Sequence, residues 1–180
     1  MSGSIEETNS AGAIGIEHID GLYGYAIVLT RNRTEAEDLV QETYVRALEA
    51  MHRLRENSNI KGWLFTILRN LWFNELRKRR SAPKIVEIDG EDNSADGLVG
   101  NSKDSYEIFA GNEDIARVRR AIAELGVEFR EIILLREFEV LSYQVIAEVL
   151  HCPVGTVMSR LGRARAKLRG ILTDLESSPR

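Results

Sequence analysis

Apolar residues recur at three- and four-residue spacing over two stretches, from Ile14 to Arg80 and from Asp114 to Leu172, and no segment alternates with the two-residue period of a strand. In the first stretch Ala36, Leu39, Val40, Thr43, Ala47, Leu48 and Met51 predict the buried stripe of one helix, with Thr34 and Glu37 as a capping box at its start. Asp38, Gln41, Glu42 and Val45 fall off that stripe and form an acidic, amide-bearing face. After the polar residues Arg55 to Asn59, the positions Ile60, Trp63, Leu64, Ile67, Leu68 and Leu71 predict a further helix that ends in Arg77, Lys78, Arg79 and Arg80.

The second stretch breaks at Gly126, around Glu139 to Leu141, and at His151 to Pro153, which leaves room for four helices. Ser142 is the expected N-cap of a short helix burying Val145, Ile146, Val149 and Leu150. A tight turn follows, and the last helix starts at Pro153 or Val154, where a missing N–H costs nothing. Its inward positions are Val157, Leu161, Ala164 and Leu168. Met158, Ser159, Gly162, Arg163 and Ala166 face outward, flanked by Arg160, Arg165, Lys167 and Arg169, with no acid from Thr156 to Arg169. Between the stretches, Ser81 to Pro83 end the pattern, and the residues to Gly111 are rich in Asp, Glu, Gly, Asn and Ser. The expected fold is therefore all-α: two small helical domains, 14–82 and 113–174, joined by a flexible acidic linker, 83–112, with tails at 1–13 and 175–180.

Composition narrows the class. The 180 residues are 43% hydrophobic and 29% charged, as in soluble globular proteins, and the length allows two small cores. A single cysteine, Cys152, excludes an internal disulfide and a four-cysteine zinc site. The N-terminus has neither the basic start nor the apolar stretch of a signal peptide, and no run is long enough to span a membrane, so a cytoplasmic protein without membrane insertion is expected.

The net charge of −4 hides opposite local fields. Residues 1–20 carry four acids and no Lys or Arg, and residues 81–116 carry nine acids against Lys84 and Lys103, so the remainder is net positive. That positive charge includes Arg69 with Arg77 to Arg80, and the run from Arg160 to Arg169; both suit phosphates. A capped short helix, a tight turn and a second helix with a basic outer face form the pattern of a helix-turn-helix, whose second helix enters the DNA major groove. The basic helix taken by itself fits a solvated helical hairpin equally well.

The residues Ser142, Tyr143, Ile146, Ala147, Glu148, Cys152 to Val157, Ser159 to Leu161 and Arg163 to Arg165 closely resemble the promoter-binding end of extracytoplasmic-function (group IV) sigma factors of bacterial RNA polymerase. Ala36 to Leu48, with Gly62 to Ile67 and Asn70, resemble that family's core-binding and minus-ten helices, in the family's order and with an acidic linker between. The resemblance implies a sigma-two-like bundle and a sigma-four-like helix-turn-helix, no catalytic site and no cofactor or metal. Implied partners are core RNA polymerase, through its largest-subunit clamp helices and its flap, promoter DNA, and an anti-sigma factor.

By the same resemblance, Asp38, Gln41, Glu42 and Val45 bind core polymerase. Strand-separated minus-ten DNA, with a base out of its stack, falls to Leu54, Arg55, Asn57, Ser58, Asn59, Lys61, Arg69, Asn70, Arg77 and Lys78. The duplex minus-thirty-five element falls to Thr156, Met158, Ser159, Arg160, Gly162 and Arg163. Met158 and Gly162 depart from the family's usual larger or basic residues, so its base preference does not transfer. Trp63 reads as core, while Trp72 is open between core and base stacking. The linker is expected near the RNA exit path, where a negative chain can mimic nucleic acid.

Other classes fit less well. There is no glycine-rich phosphate loop or nucleophile elbow, and His18, His52 and His151 lack metal-ligand spacing. Cys152 beside His151 is a weak candidate for a redox thiol. A stand-alone helix-turn-helix regulator would share the C-terminal pattern but has no need of the N-terminal helices.

Overall fold

The computed structural model describes residues 15–55, 58–81 and 113–177. The expectations for Asn57, for the tail 1–13 and for the linker 83–112 lie outside the described residues, within which all regular structure is helical.

A short 3-10 turn, Ile16–His18, leads into α1, Ile19–Thr30. Helix α2 spans Arg33–Ala50 and α3 spans Ile60–Ser81. These three helices pack on one another. Helix α1 buries Leu22, Tyr25, Ala26 and Leu29, the three-and-four pattern of one helical face. Ala36, Val40, Thr43 and Ala47 form the buried line of α2, where the Thr43 hydroxyl donates to the Leu39 carbonyl at 2.7 Å and so is not left unsatisfied. Gly15 stands at φ 59°, and a Cβ there would meet Leu64 Cδ1 at 2.8 Å, so both backbone and space demand glycine.

Two local expectations change. Asn32, not Thr34, caps α2: its backbone is extended and its Oδ1 accepts from the Glu35 N–H at 3.1 Å, putting Thr34 inside the first turn. The apolar stripes also shift. Leu48 is 52% and Ile60 42% exposed, whereas Phe65 and Trp72 are buried. Helix α3 is covered from two sides, by its own bundle and by the C-terminal half, so its buried arc is wider than a single-partner stripe and is rotated toward Phe65.

In the C-terminal half, α4 spans Glu113–Glu124 and α5 spans Val127–Ile133, which continues as a π-helical turn, Leu134–Phe138. Helix α6 is Tyr143–Leu150, and α7 runs from Val154 to Ser177, three residues beyond the expected end. The four helices fall between the predicted breaks. Helices α4, α5 and α6 all pack on α7, which buries Val157, Leu161 and Ala164.

The two halves do not stand apart. Helix α1 packs on α5 and α3 packs on α6, and the buried apolar residues form one cluster running from Leu22 to Ala164.

Candidate nucleic-acid interface

The helix-turn-helix is built by local hydrogen bonds. The Ser142 hydroxyl oxygen accepts from the Val145 N–H at 3.2 Å and starts α6, which ends at His151 in the left-handed region, φ 50°. The Cys152 N–H reaches back to the Ala147 carbonyl at 3.0 Å, closing the helix end. One residue later the Pro153 carbonyl accepts from Thr156 and Val157, opening α7. With Val157 and Leu161 inward, Met158, Ser159, Gly162 and Arg163 are exposed on the opposite face, as expected. Thr156 is half-buried, and its carbonyl accepts from the Ser159 hydroxyl at 3.1 Å.

The flanking cations are less free than the sequence pattern implies. Arg160 is only 21% exposed, and its Nε is buried without a hydrogen bond, 3.6 Å from a Glu128 carboxylate oxygen. Arg165 donates to Glu137 at 2.9 Å, and Lys167 lies over the Phe129 ring.

On α2, Asp38, Gln41 and Val45 are exposed along one face with Glu42, which pairs with Arg46 at 2.8 Å. Asp38 and Glu42 line one wall of an open groove whose other wall is the C-terminal half of α3, with Trp72, Arg77 and Lys78. Trp72 is buried, with the Arg79 guanidinium 5.7 Å from its ring centre, so it serves the core; Trp63 is half-buried against the same core. Arg77 donates to Asn74 at 3.1 Å.

Before α3, Leu54 is half-buried and Arg55 and Ser58 are exposed. Asn59 is the N-cap of α3, its Oδ1 accepting from the Gly62 N–H at 2.8 Å. The remaining minus-ten candidates on α3 all meet the C-terminal half. Lys61 Nζ lies 2.8 Å from the Glu139 carboxylate and donates to the Glu139 carbonyl, also at 2.8 Å. Arg69 Nε donates to Glu131 Oε1 at 3.0 Å, and Asn70 Oδ1 is 3.1 Å from His151 Nε2.

Glu131 is 3% exposed, and the same Oε1 also accepts from the Tyr25 hydroxyl at 2.8 Å. Burial first, and then the Glu131 charge, push the Tyr25 phenol well above its ordinary range, against the opposing pull of Arg69. Next to it Arg130 is 4% exposed with its Nε unsatisfied. Burial, and secondarily the like charge of Arg31, lower its guanidinium to about 10.

Tyr25, Glu131, Glu139 and His151 are thus part of this site although the sequence pattern did not single them out for it. Glu131 carried a signal, being an acid inside the apolar run Phe129 to Leu135. Its partners lie 62 and 106 residues away, beyond any helical period. Among the described residues no group of three His, Cys, Asp or Glu side chains could hold a metal, and no helix is long and apolar enough to cross a membrane.

A family model of Sigma-70 region 2 matches residues 16–82, and one of Sigma-70 region 4 matches residues 115–168. The chain is 37% identical over 154 residues to the ECF RNA polymerase sigma factor EcfG of Rhodopseudomonas palustris, covering 86% of this chain and 80% of the relative. This chain belongs to the extracytoplasmic-function sigma factors. It is also 32% identical to the RNA polymerase sigma-H factor of Pseudomonas aeruginosa, over 86% of this chain and 81% of that one. Among solved structures, the fold is similar to the sigma factor RpoE of Bartonella quintana in complex with the anti-sigma factor NepR. That match has a TM-score of 0.66 and 28% identity, and covers 93% of this chain and 97% of that one. CnrH in complex with the cytosolic domain of CnrY matches with a TM-score of 0.63 and 26% identity, covering 93% and 90%. As a sigma factor the chain binds core RNA polymerase and directs initiation at specific promoters.

Proposed function

We propose that this sigma factor divides its work among three surfaces. The α2 face of Asp38, Gln41, Glu42 and Val45 docks on the clamp helices of polymerase's largest subunit, where its carboxylates and amide meet basic groups. The residues Leu54, Arg55, Asn57, Ser58 and Asn59 before α3, with Lys61, Arg69, Asn70, Arg77 and Lys78, hold the unpaired minus-ten strand and take a flipped base. Unpairing costs a few kcal/mol, about what such contacts return. The start of α7, with Thr156, Met158, Ser159, Arg160, Gly162 and Arg163, reads the minus-thirty-five duplex while its module rests on the flap. The chain has no catalytic chemistry of its own, works in the cytoplasm, and is held there by an anti-sigma protein when inactive.

The observation that carries this reading is the region 2 and region 4 pair in one chain, in that order, with a helix-turn-helix whose exposed face bears Arg163. A stand-alone DNA-binding regulator accounts for the second half only. Run-off transcription with purified core polymerase on a promoter library is the test. The expected result is factor-dependent initiation at a restricted set of sequences, and failure to associate with core polymerase, with any inhibitor absent, overturns the reading.

A further inference from the structure

We propose that Glu131 is the latch of a self-occluded state, in which the C-terminal module covers the α3 face carrying Lys61, Arg69 and Asn70 and keeps the free chain from engaging single-stranded DNA. The proposal rests on the assignment of that face to the minus-ten strand.

The chemistry of the contacts supports it. Lys61 and Arg69 are cations suited to phosphate, and each is met instead by a carboxylate of the C-terminal module, Glu139 and Glu131. Asn70, the amide suited to a base edge, is met by the His151 ring. The covering module therefore presents acceptors where nucleic acid would present them, and the two occupants exclude each other. By contrast, Met158, Ser159, Gly162 and Arg163 on α7 remain exposed in the same state, as do Arg55, Ser58, Arg77 and Lys78, so occlusion is confined to the α3 face of Lys61, Arg69 and Asn70.

Glu131 is distinguished from the other contacts by burial. One of its oxygens joins Tyr25 on α1 to Arg69 on α3, at 3% exposure. A buried carboxylate is tolerable only while its partners are present, so the two bonds form and break together with module closure. Beside Glu131 on α5, Arg130 is buried with its Nε lacking a hydrogen bond, and the like charge of Arg31, at the end of α1, acts on it. The Arg69–Glu131 ion pair and the Tyr25 hydrogen bond thus favour closure, while the like charges of Arg31 and Arg130 oppose it, leaving the closed state poised to open.

Gly62 supplies a second, independent handle. A Cβ there would lie 2.5 Å from Val145 Cγ1 of α6, a stiff β-branched side chain that cannot swing aside. Within α3 itself alanine is the better helix former. Gly62→Ala therefore strains closure without weakening the helix or changing any DNA-facing side chain.

The test compares the full chain with Glu131→Gln, Gly62→Ala and the double variant Gly62→Ala with Val145→Ala. Helical content is checked by circular dichroism, the radius of gyration by small-angle X-ray scattering, and affinity for a random-sequence single-stranded DNA 12-mer by fluorescence anisotropy. The first two variants should expand the chain and tighten DNA binding on the order of tenfold, the scale of one recovered charge-assisted contact. The double variant should return both readouts toward the parent. An unchanged radius of gyration in both helical single variants overturns the latch. Expansion without tighter DNA binding overturns the occlusion through its other premise, the assignment of α3 to DNA.

Discussion

Arg130 and Tyr25 are both buried and respond to pH in opposite senses. Burial holds the Arg130 guanidinium well below its ordinary range, at about 10, in the folded chain. Folding therefore bears the full cost of its buried charge below pH 10, and that cost is relieved as pH rises above it. Arg130→Met removes a desolvated cation while keeping apolar volume, and should raise unfolding stability by about 1–2 kcal/mol in a urea titration at neutral pH. Tyr25 is shifted upward, so its contribution is complete below pH 10 and is lost as pH rises through its folded value. Tyr25→Phe should lower stability by about 1 kcal/mol at neutral pH and flatten the loss of stability above pH 10, as followed by thermal unfolding at stepped pH.

At the scale of elements, helix ends were legible only in part, because several side chains compete for the same cap. Ser142 was readable because its neighbours offer no rival, whereas Thr34 with Glu37 imitates a capping box two residues inside a helix that Asn32 caps. Asn32→Ala should cost about 1 kcal/mol, and Thr34→Ala should stay within roughly 0.5 kcal/mol; chemical denaturation of the two variants separates them. Buried arcs differ from helix to helix in the same way. Val157, Leu161 and Ala164 were legible because α7 meets its neighbours on one side. The arc of α3 was not, because α3 meets helices of both halves; Phe65 packs on Tyr25 of α1 and Trp72 lies beside α2, and both are buried.

At the scale of the whole molecule, the two DNA-facing surfaces are in different states, and variants on them should separate. Arg163→Ala, on the exposed face of α7, should reduce use of the minus-thirty-five element on the order of tenfold, measured by run-off transcription on promoters with and without that element. Asn70→Ala should impair promoter opening, read by permanganate reactivity of the melted strand, while leaving core polymerase binding intact. If Asn70→Ala abolishes core association, the proposed division of roles between α2 and α3 is wrong. The single core running from Leu22 to Ala164 also makes closure a property of both modules: a substitution on α1 or α3 reaches the helix-turn-helix through Glu131, Glu139 or His151.

Helical class, the two-part organisation, the helix-turn-helix and the outward face of α7 follow from the sequence by itself. Each rests on periodicity and turn chemistry that act over a few residues, and 3.6-residue spacing records which side of a helix meets water. The engagement of Lys61, Arg69 and Asn70 was decided only by tertiary structure. Their partners are separated from them by 62 to 81 residues of chain, and pairing over such distances depends on how two finished modules come together. Local pattern identifies the side chains that carry charge; the packing of α5 and α6 on α1 and α3 decides whether that charge faces solvent or a buried carboxylate.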